Sequence, residues 1–172
     1  ALLDRMSQLY VEPDVVSYNT VILAWSNAGE PKRAESLLEE MFHAWVQDTK
    51  EGHADTIRPD RVTFNTVISA WARSNDPDAA ERAQSVLRRM YDPQDMGTLQ
   101  VTPNIITYNT MLDCWARSGH EDAAERCLAI LQEMQELFEV GEMDARPDVV
   151  SYTTVINAFA KSGKVDQAEG PV

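Results

Sequence analysis

The sequence predicts an all-α fold, an α-solenoid of stacked helix-turn-helix repeats that forms an alpha-alpha superhelix. The first observation is a decapeptide, PDVVSYNTVI at 13–22, which returns as PDRVTFNTVI at 59–68, PNIITYNTML at 103–112 and PDVVSYTTVI at 147–156. The second is the spacing, because the lead prolines follow one another at intervals of 46, 44 and 44 residues. The third is a second stretch in each period with apolar residues at helical spacing. A fixed period of this length is typical of a repeat array in which each repeat contacts its neighbours.

The period divides the chain into complete and partial repeats. We place complete repeats at 15–60, 61–104 and 105–148, the end of a preceding repeat at 1–14, and the first part of a fourth repeat at 149–172. Three repeats meet the usual minimum for a stable stack. Because the chain begins without Met and ends inside a repeat, we expect it to be a fragment of a longer protein.

Each repeat begins with a predicted helix of about 13 residues. A proline precedes it and stops any earlier helix, and the next residue is a good N-cap. The predicted N-caps are Asp14, Asp60, Asn104 and Asp148. Small residues, which are expected helix enders, follow at 28–29, 74–75, 118–119 and 162–163.

One side of this first helix is the predicted core face. Positions four, seven, eight and eleven of each repeat share a side at 100° per residue and are apolar or aromatic. They are Tyr18, Val21, Ile22, Trp25; Phe64, Val67, Ile68, Trp71; Tyr108, Met111, Leu112, Trp115; and Tyr152, Val155, Ile156, Phe159.

A second predicted helix in each complete repeat turns a small and apolar face toward the first. That face consists of Ala34, Leu37, Leu38, Met41; Ala80, Ala83, Leu87, Met90; and Ala124, Cys127, Leu131, Met134. These helices are expected to end before Gly52, Gly97 and Gly141, in the stretches that differ most between repeats.

The opposite side of each first helix carries a different stripe, at positions two, five, nine and thirteen. Position two is aliphatic, position five is an amide or hydroxyl, position nine varies, and position thirteen is a cation in three of the four repeats. Asn is a poor residue inside a helix, worth about half a kcal/mol less than Ala. The residues are Val16, Asn19, Leu23, Asn27; Val62, Asn65, Ser69, Arg73; Ile106, Asn109, Asp113, Arg117; and Val150, Thr153, Asn157, Lys161.

Two interpretations of this stripe follow from the residues. The amides can bond locally to the first helical turn or bridge adjacent repeats, and the cations can be solvated charge near a helix C-terminus. Alternatively, a row of aliphatics beside a row of amides can hold flat rings and recognise their edges, with a phosphate met by the cations.

The charge and the rare residues narrow the classes of function. The net charge is −13, which is unusual for a nucleic-acid binder. The two cysteines, Cys114 and Cys127, have no zinc-binding spacing and are predicted to be packed thiols in a reducing compartment. No apolar run is long enough to cross a membrane, and no targeting segment is visible.

No catalytic constellation is visible, and we expect no enzyme, metal or cofactor. The three histidines, His43, His53 and His120, are scattered and form no dyad with a Cys or Ser. The paired acids at 39–40 and at 76 and 78 lack convergent metal ligands and are expected to be solvated. No phosphate-binding glycine motif occurs.

The repeated residues resemble the pentatricopeptide repeat family over essentially the whole chain. The family's unit has a VVTYNTLI-type start, a small-residue turn, an AxxLxxxM-type second helix and a closing Pro-Asp. VVSYNTVI, RVTFNTVI, IITYNTML and VVSYTTVI match that start closely. The pattern that the tetratricopeptide repeat favours early in its first helix is absent. Family units are usually near 35 residues, so these are long.

The resemblance implies single-stranded RNA binding with one base per repeat. In the family, the fifth and last residues of a repeat select the base, the second residues of neighbouring repeats clamp it, and position thirteen reaches the phosphate. The implied base-selecting residues are Asn19 with Asp60, Asn65 with Asn104, Asn109 with Asp148, and Thr153 alone. The implied clamp is Val16, Val62, Ile106 and Val150, and the implied phosphate contacts are Arg73, Arg117 and Lys161.

The same resemblance implies a preferred RNA sequence and a cellular role. The first pair favours U, the second C and then U, the third U, and the fourth repeat a purine, which gives 5′-U-C/U-U-purine-3′. The family acts mostly in mitochondria and plastids, in processing, editing, stability or translation of organellar transcripts. The implied partners are therefore single-stranded RNA and other organellar RNA-processing proteins, with no membrane and no small-molecule substrate.

A protein-binding helical scaffold is the alternative function. The acidic balance and the long repeats favour it. A peptide groove, however, has no reason to repeat Val/Ile, Asn/Thr and Arg/Lys in register.

Overall fold

The computed structural model describes residues 13–51, 57–90 and 101–163 of the chain. Within these ranges the backbone forms α-helices, one short 3-10 helix and turns, without a strand. The chain divides into two compact units, Ala1–Ser74 and Asn75–Val172.

The first unit contains three helices. They are α1 (Val15–Asn27), α2 (Pro31–Glu51) and α3 (Arg61–Arg73). α1 packs against α2 and α3, and α2 also contacts α3. The predicted core residues of α3 are buried, as are Tyr18 and Ile22 of α1, whereas Val21 and Trp25 are only partly buried. One face of α1 therefore packs against α2 and α3, and Val16 on the opposite side of the helix is exposed to solvent.

The second unit contains four α-helices and the 3-10 helix. They are α4 (Ala79–Arg89), α5 (Ile105–Ser118), α6 (Ala123–Glu139), the 3-10 helix Met143–Ala145, and α7 (Val149–Ser162). α5 packs against α4, α6 and α7, and α6 contacts α7. The four predicted core residues of α5 are all at most 2% exposed.

The predicted apolar face of the second helices is confirmed. All twelve residues, from Ala34 in α2 to Met134 in α6, are buried. Cys114 and Cys127 are also buried, and the Cys127 thiol lies 3.6 Å from the carbonyl oxygen of Leu112. The packed-thiol prediction is therefore confirmed for both cysteines.

The core prediction is wrong at two positions of α7. Tyr152 is 43% exposed and Ile156 is 50% exposed, whereas Val155 and Phe159 are buried. In the repeats at 15–60 and 105–148 a second helix follows the first and packs against it. No helix within the described ranges follows α7, so the side that carries Tyr152 and Ile156 faces solvent.

The helix ends agree with the predicted small residues. Gly119 and Gly163 are the C-caps of α5 and α7, with φ of 76° and 73°, in the left-handed region that favours glycine. The second helices differ in length, with 21 residues in α2, 11 in α4 and 17 in α6. Gly52 and Gly97, before which two of these helices were expected to end, lie outside the described residues.

Candidate functional site

The first turns of α1, α3, α5 and α7 share one arrangement of polar groups. Each predicted N-cap has extended backbone, and its side chain accepts a hydrogen bond from the backbone N–H three residues on. In α3, for example, the Thr63 N–H donates to Asp60 Oδ1 at 2.9 Å, and the Asp60 N–H donates to Thr63 Oγ1 at 3.1 Å. The N-cap prediction is thus confirmed, with reciprocal capping in α3, α5 and α7.

The hydroxyl residue at position three was not assigned a role from the sequence. Thr63, Thr107 and Ser151 are all 0% exposed, and they complete the reciprocal caps. The signal was present, because a Ser or Thr stands three residues after every Asp or Asn cap. These hydroxyls hydrogen-bond to the cap residue and so hold its side chain in position.

Two of the predicted pairs of base-selecting residues are in contact. Asn19 Nδ2 donates to Asp60 Oδ1 at 3.3 Å, and Asn109 Nδ2 donates to Asp148 Oδ1 at 3.3 Å. Each bond joins one first helix to the N-cap of the next first helix, within a single compact unit. Asn65 and Asn104 belong to different units, and their pairing stays a prediction.

The two contacts differ in how the amide oxygen is used. In the second unit the Ser151 hydroxyl donates to Asn109 Oδ1 at 2.7 Å. In the first unit Asn19 Oδ1 is buried and accepts no hydrogen bond from the described residues. The bridging interpretation of the amides is therefore geometrically correct for both pairs, and both asparagines remain only partly buried.

Hydrogen bonds hold two of the cap carboxyls in the charged form. The backbone N–H of Ser151, followed by the side chains of Asn109 and Ser151, lowers the pKa of Asp148 below its ordinary value. The Ser17 hydroxyl and backbone N–H likewise lower the pKa of Asp14. These caps are hydrogen-bond acceptors at neutral pH.

The aliphatic residues at position two are exposed although they lie beside the core helices. Val16, Val62, Ile106 and Val150 are 68%, 59%, 60% and 56% exposed. They stand two residues after the N-cap, next to the asparagine and cap contacts described above. In each unit, polar acceptors and donors thus lie beside two solvent-facing aliphatic side chains, an arrangement suited to a flat ring with a polar edge.

The cations at position thirteen are exposed but differ in their contacts. Arg73 donates through Nη2 to the Ser26 hydroxyl at 2.6 Å, which ties α3 to α1. Arg117 forms an ion pair with Asp113 at 3.2 Å. Lys161 has no hydrogen bond or ion pair to another described residue. Among the described residues, α7 is therefore the one first helix whose predicted phosphate-contacting residue has no polar partner.

We searched the described ranges for groups of metal ligands and for helices that could span a membrane. No group of three or more His, Cys, Asp or Glu side chains there is arranged to hold a metal ion. Among the described helices, none is both long and apolar enough to cross a membrane.

The chain belongs to the pentatricopeptide repeat family. A model described as PPR repeat matches residues 11–41 and 143–170, and a second of the same description matches residues 62–90. A model described as pentatricopeptide repeat domain matches residues 93–137. Together these stretches cover more than half of the chain. No curated protein matches the sequence.

The solved structures confirm the fold class. The crystal structure of the pentatricopeptide repeat protein PPR10 from maize matches with a TM-score of 0.66 at 20% identity, covering 97% of this chain and 20% of that one. A structure of PPR10 in complex with an 18-nt psaJ RNA element matches with a TM-score of 0.47 at 22% identity, covering 97% and 25%. The first likeness confirms the predicted all-α repeat fold. This chain spans about a fifth of that structure's length.

Proposed function

We propose that the chain binds single-stranded RNA and recognises one base per repeat. The observation that carries the proposal is the Asn19–Asp60 contact, which has its counterpart in Asn109–Asp148. Family membership supports it, because the contacting residues are the two that select a base in this family.

The exposed aliphatics provide the surfaces that would hold a base. Val16 and Val62 belong to the same compact unit, as do Ile106 and Val150, and all are more than half exposed. Covering most of one valine side chain is worth about 1 kcal/mol, and every base offers two flat apolar faces. This contribution does not depend on the sequence of the RNA.

The cap residue would then decide which base is preferred. The carboxylate of Asp60 only accepts hydrogen bonds, and its Oδ1 already accepts from Thr63 and Asn19. Oδ2 accepts no hydrogen bond from the described residues, so it can meet the N3–H of uracil. Asn104 carries an NH₂ group in the same cap position, and that group can donate to N3 of cytosine. The proposed site is 5′-U-C/U-U-purine-3′.

The affinity is expected to be modest and weakly salt-dependent. Arg73 and Arg117 have protein partners, and the net charge of the chain is −13. For single-stranded RNA, each phosphate that a cation neutralises contributes about −0.7 to the slope of log K against log salt. We expect a slope of small magnitude, so lowering the salt should strengthen binding only slightly.

The test exchanges the cap of the first pair. Asp60→Asn should shift the preference at the first base from U toward C by about fivefold, because one acceptor becomes a donor in a contact worth about 1 kcal/mol. The measurement is fluorescence anisotropy of labelled oligonucleotides that differ only at that base. Since Asn104 caps α5 with the same geometry, the variant should fold.

Asp14→Asn is the matched control. It makes the same change of charge in the same kind of cap, but Asp14 closes a repeat whose fifth residue is not in the chain. The U-to-C ratio should stay unchanged in this variant. An equal shift in both variants, or no shift in Asp60→Asn, contradicts the base-selecting role.

A protein-binding scaffold is the second candidate function, and one cavity favours it. This cavity of about 270 Å³ in the second unit is lined by apolar residues and by Glu133 and Glu142, with Tyr108 donating to Glu133 at 3.0 Å. A basic side chain of a partner protein would suit it. Glu142→Gln should then weaken binding of that partner and leave RNA affinity unchanged.

We further propose that the protein acts on transcripts in a mitochondrion or plastid, in processing, stability, editing or translation. Family membership supports this role. Crosslinking and sequencing of the RNA bound to the protein in cells tests it, and enrichment of nuclear transcripts alone would contradict it.

A further inference from the structure

Two of the proposed phosphate-contacting residues line one open cavity in the second unit. Arg117 of α5 and Lys161 of α7 lie around a cavity of about 770 Å³, together with His120 and the first residues of α6. Its lining consists mostly of small residues and carries two cations, Arg117 and Lys161, with Glu121 as the one acid among the residues that border it. A phosphate group of a bound strand can enter this open position and meet either cation.

The two cations differ in the residue one helical turn before them. Asp113 precedes Arg117 by four residues, and its Oδ2 lies 3.2 Å from Arg117 Nη1. Asn157, a neutral amide, precedes Lys161 at the same spacing. Position nine of the stripe is Leu23, Ser69 and Asn157 in the other repeats, so Asp113 is the one acid at this position.

The ion pair between Asp113 and Arg117 can open, and it competes with a phosphate for the guanidinium group of Arg117. Both side chains are more than half exposed, at 57% and 56%, so water screens their attraction. A carboxylate and a phosphate compete for the same N–H groups at the edge of a guanidinium group. When Arg117 turns to a phosphate it loses Asp113, and the carboxylate then repels the phosphate from close range.

We infer that Asp113 is a built-in competitor for phosphate at Arg117, which holds the affinity of this repeat for RNA below what its own cation allows. The inference rests on the proposed function, because it concerns the strength of the same RNA contact. The chain thereby has a positioning residue that limits affinity without contacting a base.

The test replaces the acid by its neutral isostere. Asp113→Asn should tighten binding of a labelled oligouridine about two- to fivefold at low salt, since it removes a competing pair and a repulsion. The slope of log K against log salt should become more negative by about 0.7, because one further cation neutralises a phosphate. A merely structural role for Asp113 leaves that slope unchanged.

Glu139→Gln controls for net charge. It removes one negative charge at the end of α6 opposite to the cavity-lining residues Ala123 and Ala124. Its effect on affinity should be smaller than that of Asp113→Asn. Equal tightening in both variants would show a general charge effect and overturn the inference.

A double-mutant cycle isolates the contact. In the Arg117→Gln background, Asp113→Asn should tighten binding less than in the unaltered chain, because the cation that it releases is absent and only the repulsion remains. Equal tightening in the two backgrounds overturns the inference. If the unaltered chain fails to bind oligouridine, the proposed function fails; if it binds and Asp113→Asn matches it, only the inference fails.

Discussion

Glu35 and Trp71 join α2 to α3 through a single hydrogen bond, in which the indole Nε1–H donates to the carboxylate at 3.1 Å. Trp71 is 1% exposed. In the second unit the corresponding acid, Glu81 of α4, lies instead 3.3 Å from Nε2 of His120. The indole N–H of Trp115 is buried without a hydrogen-bond partner among the described residues. The acid at this repeat position therefore accepts a hydrogen bond from a buried Trp in the first unit, and in the second unit it pairs with a partly exposed His.

Glu35→Ala should destabilise the protein by about 1 to 3 kcal/mol. The substitution leaves the Trp71 N–H buried without an acceptor, which is the costly half of a lost hydrogen bond. Urea unfolding followed by tryptophan fluorescence gives the free energy of unfolding. Glu81→Ala is the control and should cost less, because Trp115 already lacks that acceptor. Equal losses in the two variants would contradict the assignment.

Changing Asn65 to Thr and Asn104 to Asp together should switch the preferred second base from C toward G. This combination of residues at the fifth and last positions is the one associated with G in the family. Asp and Asn cap helices about equally well, so α5 should form in the variant. Binding to RNAs that differ only at the second base measures the switch, and an unchanged preference for C contradicts the pairing of Asn65 with Asn104.

Acid should weaken the second unit partly through Asp148. Hydrogen bonds lower the pKa of Asp148 in the folded protein below its value in the unfolded chain, about 3.9. The stabilising contribution is therefore complete above that value and is lost as the pH falls from about 5 through the folded pKa.

The thermal midpoint of the unaltered chain should consequently fall more on acidification than that of Asp148→Asn. Measuring both midpoints between about pH 6 and pH 3 checks this, because the neutral amide has no proton to bind. If the thermal midpoints of the two proteins depended on pH in the same way, folding would not lower the pKa of the Asp148 carboxyl. A titration of the Asp148 carboxyl followed by NMR provides a direct second measurement.

The two cysteines should be unreactive in the folded protein. Burial raises the pKa of Cys127 to about 12 and that of Cys114 to about 11, so almost no thiolate forms near neutral pH. A chromogenic disulfide reagent should release colour slowly from the native protein and rapidly in denaturant. A fast phase under native conditions would show that one thiol is accessible.

Local signals explain why most of the fold could be predicted. The Pro-Asp and Pro-Asn pairs set the start of each first helix, and the periodic apolar residues set its buried face. Tyr152 and Ile156 were mispredicted because burial also depends on a neighbouring helix, which the period of α7 does not reveal. The prediction was therefore wrong for the packing of α7 and correct for the helix itself.

The site depends more on contacts between residues far apart in the chain. The Asn19–Asp60 bond joins residues 41 positions apart, and only the family resemblance paired them before the structure was known. The Arg73–Ser26 bond had no sequence signal. The Asp113–Arg117 pair, in contrast, has the spacing of four that favours an ion pair on a helix, and it was available from the sequence.

The helix caps have a consequence for how such an array can diversify. Asp60 and Asn104 adopt nearly the same backbone angles, with φ of −117° and −121° and ψ of 179° for both. A single nucleotide change in a codon can therefore exchange a charged acceptor for a neutral amide with little penalty in folding. Natural variation can explore new ligand preferences at these sites while the scaffold stays intact.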